Sequence, residues 1–145
     1  MSQRERIATG IAATGACLTA VIVHPVAAAA TPPSGVSATL ISKVRIGSVE
    51  LVRREITIAP GGYTGWHYHD GPVVGRVKSG TLTHVEAGRA VRTYRTGDVI
   101  VEPSGVAHVH IGRNNGTTPV VLDALYILPV GSPFSEDAPD PSCNR

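Results

Sequence analysis

Glycine and proline turns that return about every ten residues are the feature that most limits what this chain can fold into. After residue 30, short runs rich in β-branched and aliphatic residues are interrupted by Ala59-Pro60-Gly61-Gly62, Lys78-Ser79-Gly80 and Thr96-Gly97-Asp98. No segment of this region combines a helical hydrophobic period with helix caps. Short strands at this spacing are typical of an antiparallel sandwich or barrel, so we predict an all-β fold.

The region 31–130 is predicted to form one barrel domain. Residues 131–145 contain Pro133, Pro139 and Pro141 and are predicted to be an irregular tail. The predicted strands are Val36–Ile46, Val49–Ile58, Thr64–His69, Val73–Val77, Thr81–Glu86, Ala90–Tyr94, Val99–Glu102, Ala107–Ile111 and Val120–Leu128.

The first thirty residues have the pattern of a secretory signal peptide. A start containing Arg4 and Arg6 is followed by a long apolar and small-residue stretch that ends in four alanines at 27–30. We therefore predict that residues 1–30 are removed near Ala30 and that the protein is secreted. The alternative is a retained membrane anchor, because residues 7–30 are long enough to span a bilayer.

Charge and cysteine content exclude several other classes. The chain has 13 Lys and Arg against 11 Asp and Glu, a net charge of +2, which argues against a nucleic-acid-binding protein. Its two cysteines are too few for a disulfide-stapled miniprotein. Cys17 would leave with the signal peptide, so Cys143 would be either an inert tail thiol or an intermolecular bridge.

Two His-x-His pairs carry the chemistry that the sequence suggests. His67 and His69 lie in one predicted strand, and His108 and His110 lie in another. Residues two apart in a strand share a face, so each pair would present two imidazoles to the same side. Imidazole is the commonest side-chain metal ligand, and two such pairs on rigid strands predict a metal site.

The glycines and prolines around these pairs resemble the two motifs of the cupin family. The resemblance covers about residues 56–129. The first motif is matched by Gly61, His67-Tyr68-His69 and Gly80, and the second by Gly97-Asp98, Pro103, Gly105 and His108. The resemblance implies a small jelly-roll β-barrel with a metal ion inside.

The family pattern, carried over to this chain, implies that His67, His69 and His108 are the metal ligands. It usually adds a glutamate, but Val73 stands at that position and cannot bind a cation. His110 is the candidate for a fourth ligand, and His84 and Glu86 are further candidates that packing or solvent exposure explains equally well. The ion would be divalent Fe, Mn, Ni or Zn, because imidazole accepts most first-row divalent metals.

Other polar and aromatic residues have simpler interpretations beside the functional ones. Glu102 is either a partner that orients a histidine or an exposed acid at a strand end. Asp98 is predicted to serve its turn, and Arg76 either steers an anionic ligand or is solvated. Trp66 and Tyr68 are predicted to pack in the core or against another copy of the chain. Tyr63, Tyr94 and Tyr126 are predicted to fill the core, with a position in the pocket wall as the alternative.

Three functions remain open from the sequence. The first is a metal-dependent enzyme of the cupin oxygenase or isomerase type that acts on a small molecule. The second is a barrel that binds a small molecule or metal without catalysis. The third is a structural barrel whose histidines are incidental. A homodimer is a further expectation, and contact with a membrane is expected only if the N-terminal segment is retained.

Overall fold

Antiparallel strands make up most of the part of the chain that the computed structural model describes, which is residues 29–88 and 91–144. Two short 3-10 turns, Val106–His108 and Pro141–Asn144, interrupt them. The strands are β1 (Ser34–Ile46), β2 (Val49–Tyr63), β3 (His67–Tyr68), β4 (Val73–Ser79), β5 (Thr81–Glu86), β6 (Arg92–Arg95), β7 (Val99–Glu102), β8 (His110–Arg113), β9 (Val120–Pro129) and β10 (Glu136–Asp137).

The strands form two layers joined at one end. One layer has the order β1-β2-β9-β4-β7, and the other has the order β6-β5-β8-β3-β10. The layers meet where the end of β2 reaches β8, with Tyr63 opposite Arg113 and the amide of Gly61 donating to the carbonyl of Asn114. This arrangement confirms the predicted all-β jelly-roll barrel.

Alternation along the inner strands builds the core. In β9 every second residue is buried, from Val120 to Leu128, and the residues between them face outward. β4 follows the same rule, with Val73 and Val77 inside. Each fully buried aliphatic side chain contributes about 1.5–3 kcal/mol, so these two strands hold much of the barrel's stability.

A turn at Gly105 changes the predicted strand 107–111. Gly105 adopts φ 99° and ψ 164°, a region open almost only to glycine, and residues 106–108 then form a 3-10 turn. The strand therefore begins at His110 rather than Ala107. The amide of Gly105 donates to the carbonyl of His69 at 2.8 Å, which ties the two histidine segments together.

The chain ends are described in part. Within the tail that we predicted to be irregular, Glu136–Asp137 pairs with β3, and Pro139 forms an isolated bridge with Ala30. The predicted signal peptide lies outside the described residues, except for Ala29 and Ala30. In the described ranges, no helix is long and apolar enough to cross a bilayer.

Candidate metal centre

The first histidine pair lies inside the barrel. His67 in β3 and His69 just after it are 8% and 3% exposed. The Nδ1 atom of His67 donates to the carbonyl of Gly65 at 2.9 Å, and Nδ1 of His69 donates to the carbonyl of Phe134 at 2.6 Å. A proton on Nδ1 leaves Nε2 as the lone-pair donor, so both rings offer the same atom to a ligand.

His110 joins this pair from the neighbouring strand. It lies directly opposite His67 in the β3–β8 register and is 2% exposed. Its Nδ1 atom donates to the carbonyl of His108 at 2.7 Å, which again leaves Nε2 available. Ligand atoms of His67, His69 and His110 all lie within 4.8 Å of one another. The structure thus brings together three of the four histidines of the two His-x-His pairs.

His108, which the sequence pattern placed among the ligands, lies elsewhere. It is the last residue of the 3-10 turn, and its Nδ1 atom contacts Oε1 of Glu86 at 2.8 Å. The ring is 25% exposed and does not belong to the histidine cluster of the described residues. The expected alternation between His108 and His110 rested on a strand over 107–111, which was wrong at its start because residues 106–108 form a 3-10 turn.

Glu102 supplies the carboxylate that Val73 does not. It ends β7 and lies directly opposite Val73 in the β4–β7 register. One carboxylate oxygen lies 3.1 Å from Nε2 of His69 and 3.4 Å from Nε2 of His110, and the other lies 3.5 Å from Nε2 of His84. His84, Glu102 and His110 form a second group whose ligand atoms lie within 4.8 Å of one another. The acid therefore reaches the cluster from an adjacent strand.

Burial and charge determine how these groups titrate. Burial and, to a smaller extent, the neighbouring His110 and His69 lower the pKa of His67 to about 4. Burial also lowers the pKa of His110, but the Glu102 carboxylate, the carbonyl of His108 and the charge of Glu86 together raise it overall. Burial raises the pKa of Glu102, yet the three surrounding imidazoles hold it well below the usual value. Glu102 is therefore an anion in a ring of imidazoles.

Among residues 29–88 and 91–144, two imidazole nitrogens are buried without a hydrogen bond. These are Nε2 of His84 and Nε2 of His110, both of which face Glu102 without acceptable hydrogen-bond geometry. A buried polar atom without a partner is costly and calls for an explanation such as a bound ion. Imidazole nitrogens together with one carboxylate suit a first-row divalent cation, so the residues present fit such an ion.

A cavity of about 170 Å³ opens beside the cluster. His67, His69 and Glu102 form one part of its wall, Arg54 contributes a cation, and Tyr126 contributes a phenol. Burial raises the pKa of Tyr126 to about 12, so the phenol remains protonated near neutral pH. The remaining wall is mostly apolar, and its aliphatic members are Val36, Ile56, Val73, Leu82, Ile100 and Leu122.

The other residues that the sequence singled out have structural positions. Asp98 accepts a hydrogen bond from the amide of Arg95 at 2.7 Å, as expected for a turn residue, and Arg76 is exposed. Trp66 is buried against Ile111, which confirms a packing role. Tyr126 alone of the predicted tyrosines lines the cavity. Arg54 was not singled out in the sequence, although alternation along β2 places it on the same face as Val52, Ile56 and Ile58.

Known proteins similar to this chain share its architecture. A model of the cupin domain matches residues 54–128. No curated protein is significantly similar to the chain in sequence.

Three solved structures illustrate the likeness. A cupin-2 domain from Rhodospirillum rubrum is 15% identical with a TM-score of 0.62, over 78% of this chain and 72% of that one. The polyketide cyclase RemF from Streptomyces resistomycificus is 20% identical with a TM-score of 0.60, over 85% and 90% of the two chains. The DMSP lyase DddQ from Ruegeria pomeroyi is 18% identical with a TM-score of 0.57, over 68% of this chain and 49% of that one. At these identities the similarity is one of fold.

Proposed function

We propose, starting from the fact that this chain belongs to the cupin-domain family, that it is a metal-dependent protein that binds a small molecule beside its ion. The ligands in this proposal are Nε2 of His67, His69 and His110, with Glu102 as the acidic member of the site. The observation that carries it is that three buried imidazoles each donate Nδ1 to a backbone carbonyl and each place a ligand atom within 4.8 Å of the others. Three such rings fixed in one tautomer are what a metal site requires.

Different residues of the chain would have different roles at such a site. A divalent ion held there would act as a Lewis acid on an oxygen atom of the bound molecule. The three carbonyl partners keep the rings in place, and Glu102 partly neutralises the ion's charge. The apolar wall keeps bulk water away, and the protonated phenol of Tyr126 can donate a hydrogen bond to the molecule.

Catalysis is the part of the proposal that the neighbours support by analogy. A cyclase and a lyase have the same fold. We propose that this chain, too, acts as an enzyme on a small molecule, with a non-catalytic binding protein as the alternative. Export from the cell rests on the predicted signal peptide at residues 1–30, and the homodimer stays a prediction.

Elemental analysis of protein purified without a histidine tag tests the metal site. We expect one divalent ion per chain, and we expect its loss in His67→Ala and in His69→Ala. A metal-anomalous map of crystals would give the ion's identity and its ligands together. Protein that contains no stoichiometric metal, and whose melting temperature does not respond to added Fe, Mn, Ni or Zn, would contradict the proposal.

Catalysis has a separate test. Metal-loaded protein is incubated with a panel of small phenols, diketones and organic acids, and oxygen uptake and product formation are followed. Turnover that disappears in His110→Ala supports an enzyme. Saturable binding without turnover across the panel would favour the non-catalytic alternative.

A further inference from the structure

Arg54 is a cation in the cavity wall that no carboxylate of the described residues neutralises. Residues 29–88 and 91–144 contain no ion pair of Arg54 with an aspartate or glutamate. Its neighbour Arg53 differs, because Nε and Nη2 of Arg53 donate to the two carboxylate oxygens of Asp123 at 2.8 and 2.6 Å. The two adjacent arginines therefore face opposite sides of β2, and only the inner one lacks an anion.

Aromatic rings hold the Arg54 guanidinium at the cavity. Its central carbon lies 4.0 Å from the ring centroid of Phe134 and 5.8 Å from that of Tyr126. These two rings contact each other with centroids 5.6 Å apart. Stacking on rings orients a guanidinium and stabilises its charge in part, while its N–H groups stay available for an acceptor.

His67, His69 and Glu102 line the same cavity as Arg54. Tyr126 contacts both groups, because its ring lies 5.7 Å from that of His69 and 5.8 Å from the central carbon of Arg54. Much of the remaining wall is aliphatic, with Val36, Ile56 and Leu122 among its residues. An apolar cavity with a few convergent polar groups selects ligands by shape and by the position of their polar atoms. At about 170 Å³ the space is close to that of a cavity which holds benzene.

We propose that Arg54 binds the carboxylate of a small apolar organic acid of about the size of benzoate, with the acid's body in the cavity. The guanidinium presents paired N–H donors that match the two oxygens of a carboxylate. That the far end of the acid reaches the ion rests on the proposed function, whereas the carboxylate contact at Arg54 does not. Arg54 is thus a specificity-determining residue for the class of ligand.

The test compares benzoate with benzamide, which has the same shape and no charge. Binding of each is measured by calorimetry at neutral pH, with metal-loaded and with chelated protein. We expect benzoate to bind at least about 10-fold more tightly in both forms, because a hydrogen bond to a charged group adds this much or more. Arg54→Gln should weaken benzoate binding by about 10- to 100-fold and leave benzamide binding nearly unchanged.

Two variants serve as controls. Arg53→Gln removes the neighbouring, outward-facing cation and should leave both affinities unchanged. Arg54→Lys keeps the charge but loses the paired donors, so it should give an intermediate preference for benzoate and covers the case in which Arg54→Gln does not fold.

The outcomes separate this proposal from the metal site. A preference for benzoate that survives Arg54→Gln and Arg54→Lys but disappears on chelation would place the carboxylate on the ion and overturn the inference. An Arg54-dependent preference in protein that binds no metal would support the inference while the proposed function fails. Absence of benzoate binding at millimolar concentrations in both forms would overturn it as well.

Discussion

The segments 67–69 and 108–110 share the pattern His-x-His but contribute differently to the cluster. His67 and His69 both lie inside, and each is held by a backbone carbonyl: that of Gly65, two residues earlier, for His67 and that of Phe134 for His69. In the second segment only His110 lies inside, while His108 contacts Glu86 near the surface. The two segments also differ in their backbone, because His108 is the last residue of a 3-10 turn whereas His110 begins a strand. Equal spacing in sequence therefore gives equal geometry only where the chain is extended.

The largest expected effect contrasts the two members of the second segment. We expect His110→Ala to lower the affinity for a divalent metal by more than about 100-fold, which exceeds the usual effect of losing an outer partner. His108→Ala should change it by less than about 10-fold, because the acceptor for Nδ1 of His110 is the backbone carbonyl of residue 108, which alanine retains. Competition titrations with a chromophoric chelator measure both. The reverse order of effects would make His108 the ligand and break the contrast.

The free energy of unfolding at low pH should report that His67 of the first segment is buried. The pKa of His67 is lowered to about 4 in the folded protein, whereas the unfolded chain takes up a proton near the ordinary value of 6.5. The contribution of His67 to stability is therefore complete above pH 6.5 and decreases as the pH falls toward 4, by about 3 kcal/mol in all. We expect urea unfolding of chelated protein to show this loss and His67→Gln to remove it. An unchanged pH dependence in that variant would contradict the buried position.

The carboxylates beside the two segments should also differ in their effect on metal affinity, with the larger effect at Glu102. Glu102→Gln should lower the metal affinity by about 10- to 100-fold, since it removes the carboxylate beside three imidazoles. Glu86→Gln is the matched control, because its carboxylate hydrogen-bonds to His108 and acts on His110 through its charge. It should change the affinity by no more than a few-fold. An equal loss of metal affinity in both variants would mean that Glu86 and His108 also belong to the metal site.

The smallest effect concerns the turn that separates the segments. Gly105→Ala should destabilise the protein by about 1–2 kcal/mol, because an alanine at φ 99° and ψ 164° is strained. An added Cβ would meet nothing within 4 Å, so the cost belongs to the backbone alone. Thermal and urea unfolding measure it. A variant as stable as the wild type would show that the turn can adopt another conformation.

Much of the fold could be predicted from the sequence, because turns and alternation are local signals. The strands β4, β5, β7 and β9 begin at their predicted first residues and end within two residues of their predicted ends. The error at residues 107–108 is also local in origin: Pro103-Ser104-Gly105 marks a turn, but nothing in the sequence shows that a 3-10 turn continues to His108.

The acidic part of the site depends on register, which the sequence does not reveal. Glu102 reaches the cluster because it lies opposite Val73, and the two are 29 positions apart in the chain. Arg54 is different, because alternation along residues 49–58 places it on the face of Val52, Ile56 and Ile58 and Arg53 on the other. Alternation does not show that this face borders a cavity, which required the structure. Histidine spacing and alternation could therefore predict parts of the site, whereas Glu102 required the pairing of distant strands.

The carbonyl of Phe134 that holds the His69 ring comes from the segment after the last long strand. An engineer who shortened the chain at Pro129 would leave every long ladder of the barrel intact and still remove this acceptor. A far-ultraviolet spectrum would hardly register the change, because it reports strands and not the tautomer of one imidazole. Trimmed forms of this domain should therefore be judged by their metal content and not by their secondary structure.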